Sequence, residues 1–249
     1  MQFEDKYHLT KEENKRYAKS NLARLVFENT RFEGLSTSLP QTETIVSGLG
    51  VDGVPIDDIN TIVQLKRGWQ YIINEDSPLS LDIEKNINTI VARDDALYPG
   101  QFRSGSSLVS TYNGDYIPPK TINIENEKNY FNDLMNSNRS TTDKALTLMF
   151  HNMRQQIFWD GNKRSATLAA NKLMIENGAG LIAVPVDKYP KFLKKISDYY
   201  FSNDMNDVKK WTYENGIQGI NLDHERKIHQ NNKPDPKLQQ YLGQQGLDR

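Results

Sequence analysis

Apolar positions fall at helical intervals along most of the chain. Between residues 57 and 74, Ile59, Ile62, Val63, Trp69 and Ile73 line one face of a helix. Residues 80–92 repeat the pattern with Leu81, Ile83, Ile87 and Ile90. Upstream, residues 10–31 carry Leu22, Leu25 and Val26 behind Thr10, with Glu12 and Glu13 in the first turn. A threonine caps a helix start, and acids favour its positive end. This helix is predicted to reach Glu33-Gly34. A polar link, LSTSLP, leads from it to a short helix from about Pro40 to Ser47. Further helices are predicted over 124–137, 140–156, 163–177, 188–201 and 204–215. Ser140 serves as a cap, and Gly178 as a stop.

Two stretches leave this pattern. SSLVSTYNGDYIPPK, residues 106–120, contains short β-prone segments around Asn113-Gly114. That dipeptide predicts a hairpin with a type I′ turn, whose two central residues need positive φ. Pro118-Pro119 ends the second strand. An isolated hairpin is marginal in water, so this one is expected to lie on the helical body. From Asn221 the chain is rich in Gln, Asn, Lys and Pro, with Leu238, Tyr241 and Leu242 as its apolar cluster. The fold expected is all-α with a small β-hairpin flap. It comprises an N-terminal helical segment (1–56), a core (57–220) and a polar C-terminal arm (221–249).

Composition narrows the function classes. Of 249 residues, 37 % are hydrophobic and 25 % charged, with a formal net charge of −1. The balance gives no support to bulk nucleic-acid binding. No apolar run approaches the roughly 18–20 residues of a membrane span. The first residues are too polar for a signal peptide, so a cytoplasmic location is expected. With no cysteine there is no disulfide, thiolate nucleophile or Cys-based zinc site. The histidines, His8, His151, His224 and His229, show no metal-binding helical spacing. No serine-hydrolase elbow, Walker loop or Rossmann fingerprint occurs.

The densest chemistry lies in RQQIFWDGNKRSA, between two predicted helices. Phe158 can anchor the loop by burying its ring, worth roughly 1.5–3 kcal/mol. Gly161 lets the backbone turn without a Cβ. Asn162, Lys163 and Arg164 then open a helix whose first N–H groups lack intrahelical partners and lie at the positive end of its dipole. This is an anion site, reinforced by two cations. Asp160, the one carboxylate here, suits Mg²⁺, which takes one or two protein oxygens besides phosphate oxygens and water. The plain alternative is a turn and helix cap with solvated surface charge.

At these residues the chain resembles the Fic/Doc (Fido) family. Its motif reads His-x-Phe-x-(Asp or Glu)-Gly-Asn-Gly-Arg-x-x-Arg, between two helices of an all-α core. Phe158, Asp160, Gly161, Asn162 and Arg164 match, and Lys163 replaces the second Gly as in the Doc-like branch. PGQFRSGSSLVSTYNGDYIPP is similar to the family's Gly-x-(Phe or Tyr)-Arg segment and hairpin flap. NTRFEG, residues 29–34, resembles the inhibitory motif (Ser or Thr)-x-x-x-Glu-(Gly or Asn). The resemblance covers about residues 10–217. It implies AMP transfer from ATP to a protein hydroxyl. Asp160 would hold Mg²⁺, and Gly161 and Asn162 would form the anion hole for the α- and β-phosphates. Lys163 and Arg164 would neutralise the remaining phosphate charge. Glu33 would be inhibitory, and the flap residues Val109, Ser110, Thr111 and Tyr112 would clamp a target segment by strand addition.

Two departures shape the expected activity. Gln156 stands where the family has the histidine that takes the proton from the attacking hydroxyl. A positioned base typically contributes about 10²–10⁴-fold, and glutamine has no titratable group. His151, five residues upstream, lies about 140° round the helix and is expected to play a core or surface role. Thr167 replaces the second motif arginine, the usual partner of the inhibitory glutamate, so Glu33 would need Arg164 or Lys163 instead. Asn29 also departs from the inhibitory motif. The expectation is an ATP·Mg²⁺-binding protein that transfers AMP, or phosphate, to a protein hydroxyl at a lowered rate. The alternatives are an inactive nucleotide- or protein-binding module with a regulatory role, and hydrolytic removal of AMP with Glu33 orienting water. The oligomeric state is left open.

Overall fold

In the computed structural model, residues 2–222 are described. The arm residues Leu238, Tyr241 and Leu242, with His224 and His229, lie outside them. By packing the chain divides into two units, Met1–Gly219 and Ile220–Arg249. Every helix and strand of the described residues lies in the first.

The fold is all-α. The predicted N-terminal helix is broken in two, α1 (Lys11–Ser20) and α2 (Leu22–Asn29). Thr10 forms a full capping box with Glu13, as its position predicted. The break falls at Asn21, whose side-chain amide donates to the Tyr17 carbonyl at 2.8 Å. That carbonyl also accepts from Ser20 Oγ at 3.0 Å, and the Asn21 N–H turns to the Ala18 carbonyl at 3.2 Å; asparagine commonly competes with the helix in this way. A 3₁₀ turn, Thr30–Glu33, ends on Gly34 in the left-handed region. Then come α3 (Leu39–Val46), α4 (Ile56–Asn74) and α5 (Leu81–Val91).

The hairpin consists of β1 (Val109–Thr111) and β2 (Gly114–Tyr116), antiparallel, with Thr111 opposite Gly114. Its turn therefore centres on Tyr112-Asn113, one residue earlier than predicted. Gly114 alone takes a positive φ there, 111°, so the turn is not the expected type I′. Docking explains the shift. The Asn113 N–H donates to Ser197 Oγ at 3.0 Å, and its side-chain amide to Asp198 at 2.7 Å. Both acceptors lie on a later helix, so the hairpin does rest on the helical body.

The remaining helices are α6 (Ile124–Asn136), α7 (Thr141–Gln155), α8 (Asn162–Glu176), α9 (Tyr189–Ser202) and α10 (Asn206–Gly216). Helix α8 is the axis of the fold. All its residues except Lys163 and Glu176 are buried, with α7, α5, α4 and α1 packed around it. Two of its buried polar side chains tie it to neighbouring segments. Asn171 exchanges hydrogen bonds with the Ile182 backbone, and the Lys172 ammonium donates to the Glu75 carbonyl. A second antiparallel pair, β3 (Leu181–Ile182) with β4 (Ile217–Gln218), has no counterpart in the predicted elements. Two-residue strands are too short to show a period. No helix among the described residues is long and apolar enough to cross a membrane.

Candidate functional site

The loop between α7 and α8 is built on two backbone exceptions. Gln156 ends α7 in the left-handed region, with φ 52°. Gly161 starts α8 with φ 68°, and a Cβ there would stand 2.7 Å from Ala92 Cβ. Both the conformation and the space therefore require glycine at 161. Phe158 is fully buried and stacks on Phe102 at 5.6 Å. The loop is pinned from α5, where the buried Asn88 amide donates to the Asp160 carbonyl at 2.8 Å and to Ser165 Oγ at 2.9 Å. From the other side Arg103 grips it, its Nε donating to the Gln156 carbonyl at 2.9 Å.

A cavity of about 230 Å³ opens over the start of α8. Gln156, Asp160, Gly161, Asn162, Lys163, Glu33, Val109 and Ser110 all line it. No side chain caps α8, whose first-turn N–H groups lack the intrahelical partners of later turns. The Gly161 N–H itself is taken by Asp160 Oδ1. The Asn162 side chain is spent inside the loop. Its Oδ1 accepts from Phe158 N at 2.9 Å, and its amide donates to the Phe158 carbonyl and to Gln156 Oε1. What Asn162 offers a ligand is its backbone. Lys163 lines the cavity and pairs with no carboxylate among the described residues.

Arg164 lies beneath this cavity, fully buried. Glu33 stands 2.8 Å from its Nε, so of the two expected partners the structure selects Arg164. Asp95, which nothing in the motif singles out, stands 2.8 Å from NH1, and Asp160 stands 3.6 Å from NH2. Thr167 adds nothing to the cavity, since its hydroxyl donates to the Lys163 carbonyl of its own helix. Asn29 is a buried acceptor for the Trp69 indole at 3.0 Å.

Gln156 is buried and turned inward. Its amide donates to the Met153 carbonyl at 2.6 Å while its oxygen accepts from Asn162 at 3.0 Å. The Tyr200 phenol lies close to this side chain without an aligned hydrogen bond. Burial pushes the phenol above its ordinary range, and the Gln156 amide offsets this only in part, so Tyr200 is no base near neutrality. His151 lies away from the cavity, bonded to Glu127 at 2.7 Å and stacked on Tyr130 at 3.6 Å. A second, apolar cavity of about 210 Å³ adjoins the first. It shares Val109, Ser110 and Lys163 with it and adds Thr111, Tyr112, Phe32 and Tyr200. Trp159 walls the mouth, its ring edge so close to Gly105 that a Cβ there would stand 2.9 Å away.

This geometry can be set beside known proteins. Residues 78–174 match the model of the Fic/DOC family, a span that holds α5, the flap, α7 and nearly all of α8. Over this segment the chain is similar to the Fic/DOC family. The protein adenylyltransferase Fic of Drosophila melanogaster is 27 % identical over 186 residues, covering 70 % of this chain and 37 % of its own length. The Drosophila virilis protein of the same name is 24 % identical over 185 residues, with the same coverage. The chain thus spans a little over a third of the length of these relatives. In three dimensions it is similar to a Fic domain containing signaling protein from Bacteroides thetaiotaomicron. The TM-score is 0.68 at 18 % identity, covering 83 % of this chain and 86 % of that one. A Fic family protein from Desulfovibrio desulfuricans also gives 0.68, at 14 % identity, over 80 % and 63 % of the two chains. At such identities the likeness establishes the Fic fold alone.

Proposed function

We propose that this chain binds ATP with Mg²⁺ in the cavity over α8 and acts as a Fic-type transferase of AMP to a protein hydroxyl, slowed by the absence of a base. One observation carries the reading: the uncapped start of α8 and Lys163 face a cavity closed on its other side by flap strand β1. N–H groups without intrahelical partners, the helix dipole and a cation there favour phosphate. The adjoining apolar cavity has the lining a flat base requires, with Phe32, Tyr112 and Tyr200 around it. Asp160 is half exposed and is the carboxylate nearest the first N–H groups. A single carboxylate suits Mg²⁺, which would take Asp160 with phosphate oxygens and water, and would supply charge neutralisation on the phosphates. Strand β1 pairs only with β2 among the described residues, so its other edge is open to an extended target segment.

In the transfer, the target oxygen forms a bond to the α-phosphorus as the bond to pyrophosphate breaks. The hydroxyl proton has to leave, and with no base on the loop it passes to solvent water. Gln156 cannot take it, and its amide is committed to Met153 and Asn162. That commitment favours a second reading, a nucleotide-binding module without turnover. Gln156→His separates the two. With α-labelled ATP the variant is expected to gain about 10²–10⁴-fold in label transfer to a protein acceptor. ATP binding by calorimetry without such a gain would leave the binding module. Label arriving from the γ-position instead would mean phosphate transfer, and no ATP affinity in either protein would end both readings.

A further inference from the structure

The partners of Arg164 divide by edge. Its NH1 group donates to the Val91 carbonyl at 2.5 Å and stands 2.8 Å from Asp95 as an ion pair. Both belong to the end of α5: Val91 is its last residue, and the Asp95 and Ala96 N–H groups bond back to the Ala92 carbonyl. Neither lines the cavity. The Nε and NH2 edge is different. Its partners, Glu33 and Asp160, both line the cavity. They also serve it poorly. Nε is buried with no aligned hydrogen-bond acceptor, although Glu33 stands 2.8 Å away. NH2 reaches Asp160 only at 3.6 Å, and that oxygen already accepts from Gly161. Glu33 arrives from the separate 3₁₀ turn that ends on Gly34.

A guanidinium presents parallel donors along its Nε–NH2 edge, matched to two oxygens of one phosphate. The site has a single motif arginine, because Thr167 turns its hydroxyl into its own helix. We propose that Asp95 is a positioning residue. It fixes the Arg164 plane through NH1, so that when Glu33 leaves, the Nε–NH2 edge stands ready to grip the β- or γ-phosphate with two donors. On this view Glu33 and Asp95 hold the same side chain with opposite effects. Glu33 occupies the edge a phosphate needs, and Asp95 keeps that edge aimed. The inference rests on the cavity being a phosphate site, which the proposed function assumes.

The test is calorimetry of ATP, ADP and adenosine against the wild type, Glu33→Ala and the double variant Glu33→Ala/Asp95→Asn. Glu33→Ala is expected to bind ATP more tightly than the wild type. Adding Asp95→Asn is expected to lose about 10-fold for ATP and ADP, the scale of one close, partly buried ion pair, and nothing for adenosine. Adenosine binding also reports that the double variant is folded. Equal ATP affinity in the single and double variants would overturn the role of Asp95 alone, and so would a loss shared equally by adenosine. No ATP binding by Glu33→Ala would overturn the phosphate site, and this proposal with it.

Discussion

Two arginines are fully buried beside the motif loop, and they are neutralised in opposite ways. Arg103 meets backbone only. It donates to the carbonyls of Gln156 at 2.9 Å, Gln155 at 3.3 Å, Pro119 at 2.7 Å and Lys120 at 3.0 Å, and also to that of Gly105. Arg164 has one carbonyl and otherwise side-chain carboxylates, each partly open to solvent. Carbonyls in the main chain cannot leave without unfolding their segments. A carboxylate can rotate away and be rehydrated. The first arginine therefore fixes architecture, joining the flap stem to the end of α7. The second stands in an exchangeable charge network, which is what a site awaiting an anion requires.

Arg103 should be the more sensitive of the two to substitution. Arg103→Met keeps much of the volume and removes every donor, stranding several buried carbonyls. The expected loss is about 3–5 kcal/mol, the range for breaking a buried charged network. Urea unfolding measures it. Arg103→Lys keeps the charge but not the planar fork, so it should recover only part. A midpoint unchanged in Arg103→Met would mean that water replaces the donors and that the staple is not structural.

Glu84 sharpens the rule, because it is a buried acid with no cation paired to it among the described residues. One oxygen accepts from the Asn152 amide at 2.8 Å, and the other has no hydrogen-bond partner among those residues. Burial pushes its pKa up to about 8. The Asn152 bond offsets this in part, and nearby Glu127 adds to it. The folded value lies above the unfolded one, about 4.3. Between those two pH values the unfolded chain ionises Glu84 while the folded one keeps it protonated. Stability therefore falls as pH rises from about 4.3 to 8. Glu84→Gln removes this slope. The variant should match the wild type near pH 4.5 and exceed it by on the order of 2–4 kcal/mol at pH 8. Thermal unfolding at the two values checks it. A gap that does not widen with pH would show that Glu84 is already ionised in the fold.

Much of the fold was readable from local pattern. The caps Thr10 and Ser140, the burial of Phe158 and the turn at Gly161 depend on neighbours a few residues away, which periodicity and cap chemistry report. The partner of Glu33 could be narrowed to Arg164 or Lys163, because motif order limited the cations available. What stayed hidden depends on contacts far apart in the chain. Asn88 reaches Asp160 and Asp95 reaches Arg164, and nothing near these residues marks them; Arg103 was marked by the Gly-x-(Phe or Tyr)-Arg segment, but its reach to Gln156 was not. The hairpin turn slipped by one residue for the same reason, since α9 decides where Asn113 sits. The inward turn of Gln156 follows from its left-handed backbone, a conformation its side chain does not announce.

Arg164 should tolerate the same substitution with little loss of stability. Arg164→Met removes a cation as deeply buried as Arg103, yet its partners are not trapped. The side chains of Glu33, Asp95 and Asp160 keep 30 %, 38 % and 53 % of their exposure beside it. Each can turn to water, so only the Val91 carbonyl is left without its donor. The stability cost should be about 1 kcal/mol, the scale of one unmade hydrogen bond. Affinity should respond differently, with a loss for ATP and none for adenosine, because the arginine acts on phosphate and not on the base cavity. Parallel urea unfolding and calorimetry decide it. If Arg164→Met destabilises as much as Arg103→Met, the carboxylates are as immobile as the carbonyls, and the division between a structural and an exchangeable arginine fails.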